Sequence, residues 1–184
     1  TAHHLDDNIE TMLMHFFRGT GIAGLRAMQE KQGKLIRPLL NFSRADIKSF
    51  AGEQKLSWVE DSSNETDKYT RNYFRNKLIP EIEKVFPEAW HNLGGNLRRF
   101  AEAEVLYRQA VEQHKKKLMK KVGEETHIPI LLLKKTKPLT TVLFEILQEF
   151  GFSSAQVEDC LNLMESSNGK YISGNTHRII KNRA

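Results

Sequence analysis

Thr1-Ala2-His3-His4-Leu5-Asp6-Asp7-Asn8-Ile9-Glu10-Thr11 gathers two imidazoles, three carboxylates and two hydroxyls within eleven residues. Met12, Leu13, Phe16 and Phe17 follow at helical spacing, which predicts one helix from His3 or Asp6 to Arg18. On that helix Asp7, Glu10 and Thr11 share a face, because residues three and four apart are surface neighbours. Aspartates at its start also suit the positive end of the helix dipole. Three readings follow: a solvated helix start, a transition-metal site, or a carboxylate face for Mg²⁺ with phosphates or for an amine's ammonium. The missing H-E-x-x-H spacing counts against zinc, and hard oxygen ligands favour the last reading.

Downstream, Gly19-Thr20-Gly21-Ile22-Ala23-Gly24 spells G-x-G-x-x-G. A dinucleotide-binding turn needs a strand before it, whereas here a helix precedes, so the segment reads as a helix-ending turn or as a loop that approaches a phosphate or base beside Arg18. Lys34 to Leu40 reads as a short strand closed by Pro38, and Ser43 to Gln54 as a helix with Ser43 as N-cap and Asp46 at N3. Ser57 to Glu60 is a further short extended piece. Asp61 to Asp67 is a polar loop, and Arg71 to Ile79 resumes a helix. Arg71 and Arg75, four apart, present two planar forks suited to phosphate or carboxylate, or else make the salt bridges of an exposed helix start. Asp61, Asn64 and Asn72 group with them. No G-x-x-x-x-G-K-[ST] occurs in the sequence, which excludes a Walker-type phosphate loop in this chain.

Beyond Pro80 and Pro87 the composition shifts. Leu93, Leu97, Phe100, Ala103, Tyr107, Val111, His114 and Leu118 trace one stripe of a long amphipathic helix. Arg98, Arg99, Arg108, Lys115, Lys116, Lys117, Lys120 and Lys121 make its other faces and its end basic, which suits either phosphate binding or a solvated surface. Ile128 to Leu133 reads as a short apolar β segment, Leu139 to Phe150 as a helix stopped by Gly151, and Ser154 to Ser166 as another helix. Gly169 to Asn182 reads as a strand pair around Gly174-Asn175.

Hydrophobic residues make up 39% of the 184 and charged residues 28%, an ordinary balance for a globular chain. No apolar run approaches the roughly 18 residues needed to span a bilayer, and no signal peptide opens the sequence, so a cytoplasmic protein without membrane contact is expected. The formal net charge of +5 favours an anionic partner mildly. The single cysteine, Cys160, excludes an internal disulfide and a Cys-ligated cluster, and its apolar neighbours predict burial.

Taken in order, Thr1 to Thr11, Arg18-Gly19-Thr20-Gly21-Ile22-Ala23-Gly24-Leu25, Ile36-Arg37-Pro38-Leu39-Leu40, Trp58-Val59-Glu60-Asp61-Ser62-Ser63-Asn64 and Arg71-Asn72-Tyr73-Phe74-Arg75 resemble the tRNA(Ile)-lysidine synthetase family of PP-loop ATP pyrophosphatases. The resemblance is specific over residues 1 to about 80 and looser beyond. It implies an enzyme that adenylates C2 of the wobble cytidine in the CAU anticodon of tRNA(Ile), with ATP and Mg²⁺, and lets the ε-amine of free L-lysine displace AMP. The fold it implies is mostly α in this chain: 1–88 as the C-terminal half of a Rossmann-like α/β PP-loop catalytic domain, and 89–184 as a helical tRNA-binding domain with a small terminal β-sheet.

By the same resemblance His4, Asp7 and Arg71 are the catalytic candidates, and Asp7 and Glu10 grip lysine. Arg18, Gly19, Thr20, Gly21 and Arg75 contact nucleotide, base or phosphate. Asp6 is a weak candidate for Mg²⁺, and Arg98, Arg99, Arg108, Lys115, Lys116 and Lys120 contact tRNA. Assembly as a homodimer is left open. The family's S-G-G-x-D-S loop, which binds the pyrophosphate of ATP, is missing from this sequence. It is expected upstream of Thr1, so the chain is expected to be truncated there and inactive alone. The alternatives are another PP-loop enzyme, such as a tRNA-thiolating one, which one cysteine supplies poorly, and a non-catalytic basic helical RNA-binding module.

Overall fold

The structure, a computed structural model, describes residues 1–59 and 70–182, so the expected roles of Asp61 and Asn64 and the end of the extended piece at Glu60 lie outside the described residues. The described residues are mostly helical, with three separate two-stranded antiparallel hairpins. The chain divides into two compact units, Thr1–Val105 and Leu106–Ala184, and the division falls inside one long helix.

The first unit is organised on α1 (Leu5–Arg18), whose apolar stripe buries Ile9, Met12 and Leu13. Gly19 ends it with φ +80°, the helix-ending turn expected there, and the rest of the glycine segment forms the short helix α2 (Ile22–Leu25). The hairpin β1 (Lys31–Gln32) and β2 (Leu35–Ile36) pairs Lys31 with Ile36. The strand expected over Lys34–Leu40 is thus only two residues long, since Arg37 and Pro38 turn the chain away. In α3 (Arg44–Glu53) the capping box is formed as its sequence predicts: Ser43 Oγ accepts the Asp46 N–H at 3.0 Å and the Ser43 N–H donates to Asp46 Oδ2 at 2.9 Å. A cap of this kind stabilises a helix by about 1 kcal/mol.

After α4 (Thr70–Tyr73) the chain takes a π-helical segment, Phe74–Leu78, and continues as α5 (Ile79–Val85), with Pro80 at its second residue. Phe74, Ile79 and Leu97 close over Ile9, Met12 and Leu13 to make the first core. Leu97 comes from α6 (Ala89–Leu118), the long helix its amphipathic stripe predicts. Leu97, Val111 and Leu118 of that stripe are buried, while Ala103 is exposed and Glu104 is buried in its place.

The second unit holds the rest of α6, then β3 (Lys120–Val122), β4 (Glu125–His127), α7 (Ile130–Lys134), α8 (Leu139–Glu149), α9 (Gln156–Glu165), β5 (Tyr171–Ser173) and β6 (Arg178–Ile180). Val142, Leu143, Ile146 and Leu147 turn inward from α8 and meet Leu118, Leu133, Phe152, Val157 and Cys160. Cys160 is buried as expected, and burial pushes its thiol up to about 11. Gly151, with φ +77°, stops α8 by donating its N–H to Gln148 O at 3.1 Å.

Two readings of this half are corrected. Ile128–Leu133 is no strand: Pro129 lacks a ladder N–H and caps α7 instead, which turns Leu133 into the core. Lys120 and Lys121, read as the end of the long helix, belong to the β3–β4 hairpin, which turns at Gly123 with φ +61°. The strand pair around Gly174-Asn175 is present, with Ile172 opposite Ile179. Ile146 is fully buried, so Ile146→Ala is expected to lower unfolding stability by about 2 to 5 kcal/mol, read from urea denaturation. A loss under 1 kcal/mol would mean that the α8 core collapses around the gap.

Candidate functional site

The opening residues fold as they do because His4 is the N-cap of α1. Its backbone N–H donates to Asp7 Oδ2 at 3.1 Å, and its Nδ1 faces the Asp7 N–H at 3.4 Å, closing a capping box made with imidazole rather than hydroxyl. One turn on, Glu10 is 1% exposed, yet both of its oxygens are met by one guanidinium. Arg75 Nε donates to its Oε1 at 2.6 Å and a terminal nitrogen of the same guanidinium to its Oε2 at 2.9 Å, a two-pronged pair. That terminal nitrogen also donates to Asp7 Oδ1 at 3.1 Å. Arg71 donates to Thr11 Oγ1 at 2.9 Å, and its Nε lies 3.8 Å from Glu10.

The two arginines reach α1 from different kinds of turn. Arg71 is on α4 and Arg75 on the π-helical segment, where one extra residue per turn rotates the following side chain relative to an α-helix. Sequence spacing could pair Arg71 and Arg75 but could not show this rotation.

Asp6 is held differently. Its Oδ2 accepts the Arg44 N–H at 2.7 Å and its Oδ1 accepts the Trp90 indole N–H at 2.9 Å. Burial alone would push this carboxyl up, but His4, the Arg44 amide and Trp90 outweigh it and hold it below the usual aspartate value. Hydrogen bonding to Asp6 raises the His4 imidazole against the cost of burial, with Asp7 adding to the effect. Burial moves Glu10 upward, opposed by Arg75, whose own proton is held more firmly by Glu10. His4 Nδ1 lies 3.5 Å from Asp6 and Nε2 lies 3.4 Å from Asp7. A protonated ring cannot accept from the Asp7 amide, but that contact is long, so carboxylates on both sides favour the charged form.

A cavity of about 260 Å³ opens beside this network, lined by His4, Asp6, Glu10, Arg44, Arg75 and Trp90, with Ile79, Pro80 and Glu83 completing it. Asp7 lies outside that lining and serves Arg75 and the His4 amide. The structure thus joins His4, Asp6, Asp7, Glu10, Arg71 and Arg75 in one network. Asp6 has both oxygens engaged, and among the described residues no three His, Cys, Asp or Glu side chains are grouped to hold a metal ion. Each Asp6 oxygen keeps a lone pair beyond the bond it makes, and one carboxylate beside nucleotide phosphates is donor set enough for Mg²⁺.

Arg18, Gly19, Thr20 and Gly21 are exposed at the far end of α1, and a side chain at Gly19 or Gly21 would meet open space. Gly24 differs, because a Cβ there would collide with the Thr20 side chain. Of the basic candidates on α6 and after it, Arg98, Lys116, Lys117, Lys120 and Lys121 are exposed, and Arg99 donates to Asn96 at 2.8 Å. Arg108 pairs with Glu145 at 3.0 Å, and Lys115 is buried against Glu149 at 2.7 Å. Lys115 is therefore spent on an internal ion pair.

Asn8 escaped the sequence reading. Its Oδ1 accepts the Met28 N–H at 2.7 Å and its amide faces Met28 O at 3.4 Å, which pins the segment after α2 to α1. Trp90 and Glu104, the partner of Arg26, were equally unforeseen. Their only sequence signal is a polar or amphipathic residue placed on an apolar stripe.

The folded-state pKa of His4 lies above its unfolded value of 6.5, so its contribution to stability is complete below that pH and is lost as pH rises through the folded value. The stability difference between the parent and His4→Gln is expected to be larger at about pH 5.5 than at about pH 8.5. Equal differences at the two pH values would show that the imidazole acts only as a neutral cap.

Comparison with known proteins gives these positions a context. The family described as PP-loop domain matches residues 1–82, and that described as TilS substrate binding domain matches residues 120–184. A tRNA(Ile)-lysidine synthase from Parabacteroides distasonis is 35% identical over 182 residues, covering 99% of this chain and 41% of that protein. One from Bacteroides thetaiotaomicron is 33% identical over 182 residues, covering 99% and 42%, and one from Methylococcus capsulatus is 44% identical over 107 residues, covering 56% and 24%. The chain spans about two fifths of the length of the first two of these curated relatives. With both domain types in this order and relatives of one name, the chain belongs to the tRNA(Ile)-lysidine synthase family.

Proposed function

We propose that this chain contributes the lysine-side part of a cytoplasmic enzyme that ligates L-lysine to C2 of the wobble cytidine in the CAU anticodon of tRNA(Ile), at the expense of ATP. The observation that carries the reading is the cavity at the start of α1, where His4, Asp6 and Glu10 meet Arg75 in a family whose members are named for lysidine synthesis. Residues 1–88 serve as the C-terminal half of the Rossmann-like catalytic domain and 89–184 as the tRNA-binding domain.

ATP with Mg²⁺, for which Asp6 is the candidate carboxylate, would supply the chemistry that turns the C2 oxygen of cytidine into a leaving group. Arg18 and the exposed turn from Gly19 to Gly21, where the Gly19 N–H is already bonded to Phe16 O, are open for a base or phosphate to approach. Asp6, Asp7 and Glu10 offer the carboxylates that a lysine ammonium would meet, while Arg75 fixes Asp7 and Glu10 in place and Arg71 anchors to Thr11 beside them. His4, flanked by two carboxylates, is placed to take up or hold a proton as the amine attacks. The exposed Arg98, Lys116 and Lys120 supply phosphate contacts.

Asp7→Ala in an enzyme that contains this chain and an S-G-G-x-D-S loop is expected to cut lysine-dependent AMP release by about a hundredfold or more, since small misplacements of catalytic groups have effects of that size. The 184-residue chain, which has no such loop, is expected to incorporate no lysine into tRNA(Ile). Salt-dependent tRNA binding with no lysine-dependent AMP release in the loop-containing enzyme would favour a non-catalytic RNA-binding module instead.

A further inference from the structure

The second unit carries a feature that the site above does not use. β5 and β6 form a hairpin whose inner residues, Ile172 and Ile179, pack on the α8 core. The alternation of a strand then sends Tyr171, Ser173, Arg178 and Ile180 to the other face, and all four are exposed. Tyr171 is 57% exposed, which is high for a ring that could have been buried, and the Arg178 guanidinium lies 4.8 Å from its centroid. The two are diagonal neighbours across the ladder, because Tyr171 pairs with Ile180 and Arg178 with Ser173.

Charge around this stack has one sign. From Ser166 to Asn182 the sequence has no Asp or Glu, while it has Lys170, Arg178 and Lys181. Lys181 is spent internally, donating to Met164 O at 2.7 Å and to Ser166 O, so it fixes the hairpin to the end of α9. Glu165, the nearest carboxylate in sequence, is neutralised by Lys134 at 2.5 Å. Arg178 and Lys170 therefore have no acidic neighbour within the hairpin itself.

A guanidinium stacked on an exposed ring, in a basic setting, has the chemistry for an unpaired nucleotide. The outer face of the guanidinium accepts a base, its edge donates to phosphate, and the ring holds it flat. An acidic peptide would satisfy the charge but leave the ring unused. We propose that the exposed face of the β5–β6 hairpin is a contact surface for unpaired nucleotides of the RNA substrate, with Tyr171 and Arg178 as the stacking pair and Lys170 as a phosphate contact. The inference rests on the tRNA reading above and deepens it, naming the face and the residues of the 89–184 region that meet unpaired nucleotides.

The test uses fluorescently labelled tRNA(Ile) transcript and the 184-residue chain, with affinity measured across a salt series. Tyr171→Ala is expected to weaken binding about tenfold with the salt slope unchanged, and Tyr171→Phe to restore it, since one stacked base is worth about that much. Arg178→Ala is expected to weaken binding and lower the salt slope by about 1. Thermal melts equal to the parent's show that the exposed substitutions leave the fold intact. Parent-like affinity and slope in Tyr171→Ala and Arg178→Ala would overturn the surface while leaving the tRNA reading intact. No binding of the transcript by the parent chain at low salt would overturn both.

Discussion

The first unit depends on one buried ion pair, Glu10 with Arg75. An ionised carboxylate at 1% exposure is unfavourable unless its charge and its lone pairs are both met, and Arg75 meets them with two parallel hydrogen bonds of 2.6 and 2.9 Å. Satisfying Glu10 fixes where the π-helical segment must pass over α1. That in turn sets Phe74 and Ile79 against Ile9, Met12 and Leu13. The same guanidinium reaches Asp7, which holds the His4 amide, which starts α1. Site and core are therefore two sides of one arrangement, and the residues proposed to face substrate are also those that hold the helices together.

The second unit solves a similar problem in an ordinary way. Glu145 is buried on the inward face of α8, and it accepts from the Tyr107 hydroxyl at 2.6 Å and from Arg108 at 3.0 Å. Burial and the neighbouring carboxylate push the Tyr107 phenol up to about 12, so it stays a donor at any working pH. Lys115 and Glu149 repeat the pattern. These pairs draw Arg108 and Lys115 into internal contacts and leave the lysines beyond them, Lys116, Lys117, Lys120 and Lys121, exposed as surface charge.

Much of this was legible in the sequence where one local rule decides the outcome. The stripe from Leu93 to Leu118, the Ser43–Asp46 box, the Gly151 stop and the burial of Cys160 each follow from spacing or capping chemistry. The family was legible because five separate blocks kept their order. What stayed hidden depends on contacts distant in sequence: Asn8 to Met28, Asp6 to Trp90, Arg26 to Glu104. Spacing on α1 could show that Asp7 and Glu10 share a face but not that Arg75 occupies it. Pro129 outweighed the apolar run that suggested a strand at Ile128–Leu133.

The dependence on Glu10 and Arg75 is measured most directly by a double-mutant cycle with Glu10→Gln and Arg75→Met, read as unfolding free energy. Each single change leaves the other partner's hydrogen bonds or charge unmet, so each is expected to cost about 3 to 5 kcal/mol, and the double variant far less than their sum. A coupling energy above about 2 kcal/mol is the predicted result. Additive losses, with coupling below about 0.5 kcal/mol, would contradict the account, because the two residues would then act independently.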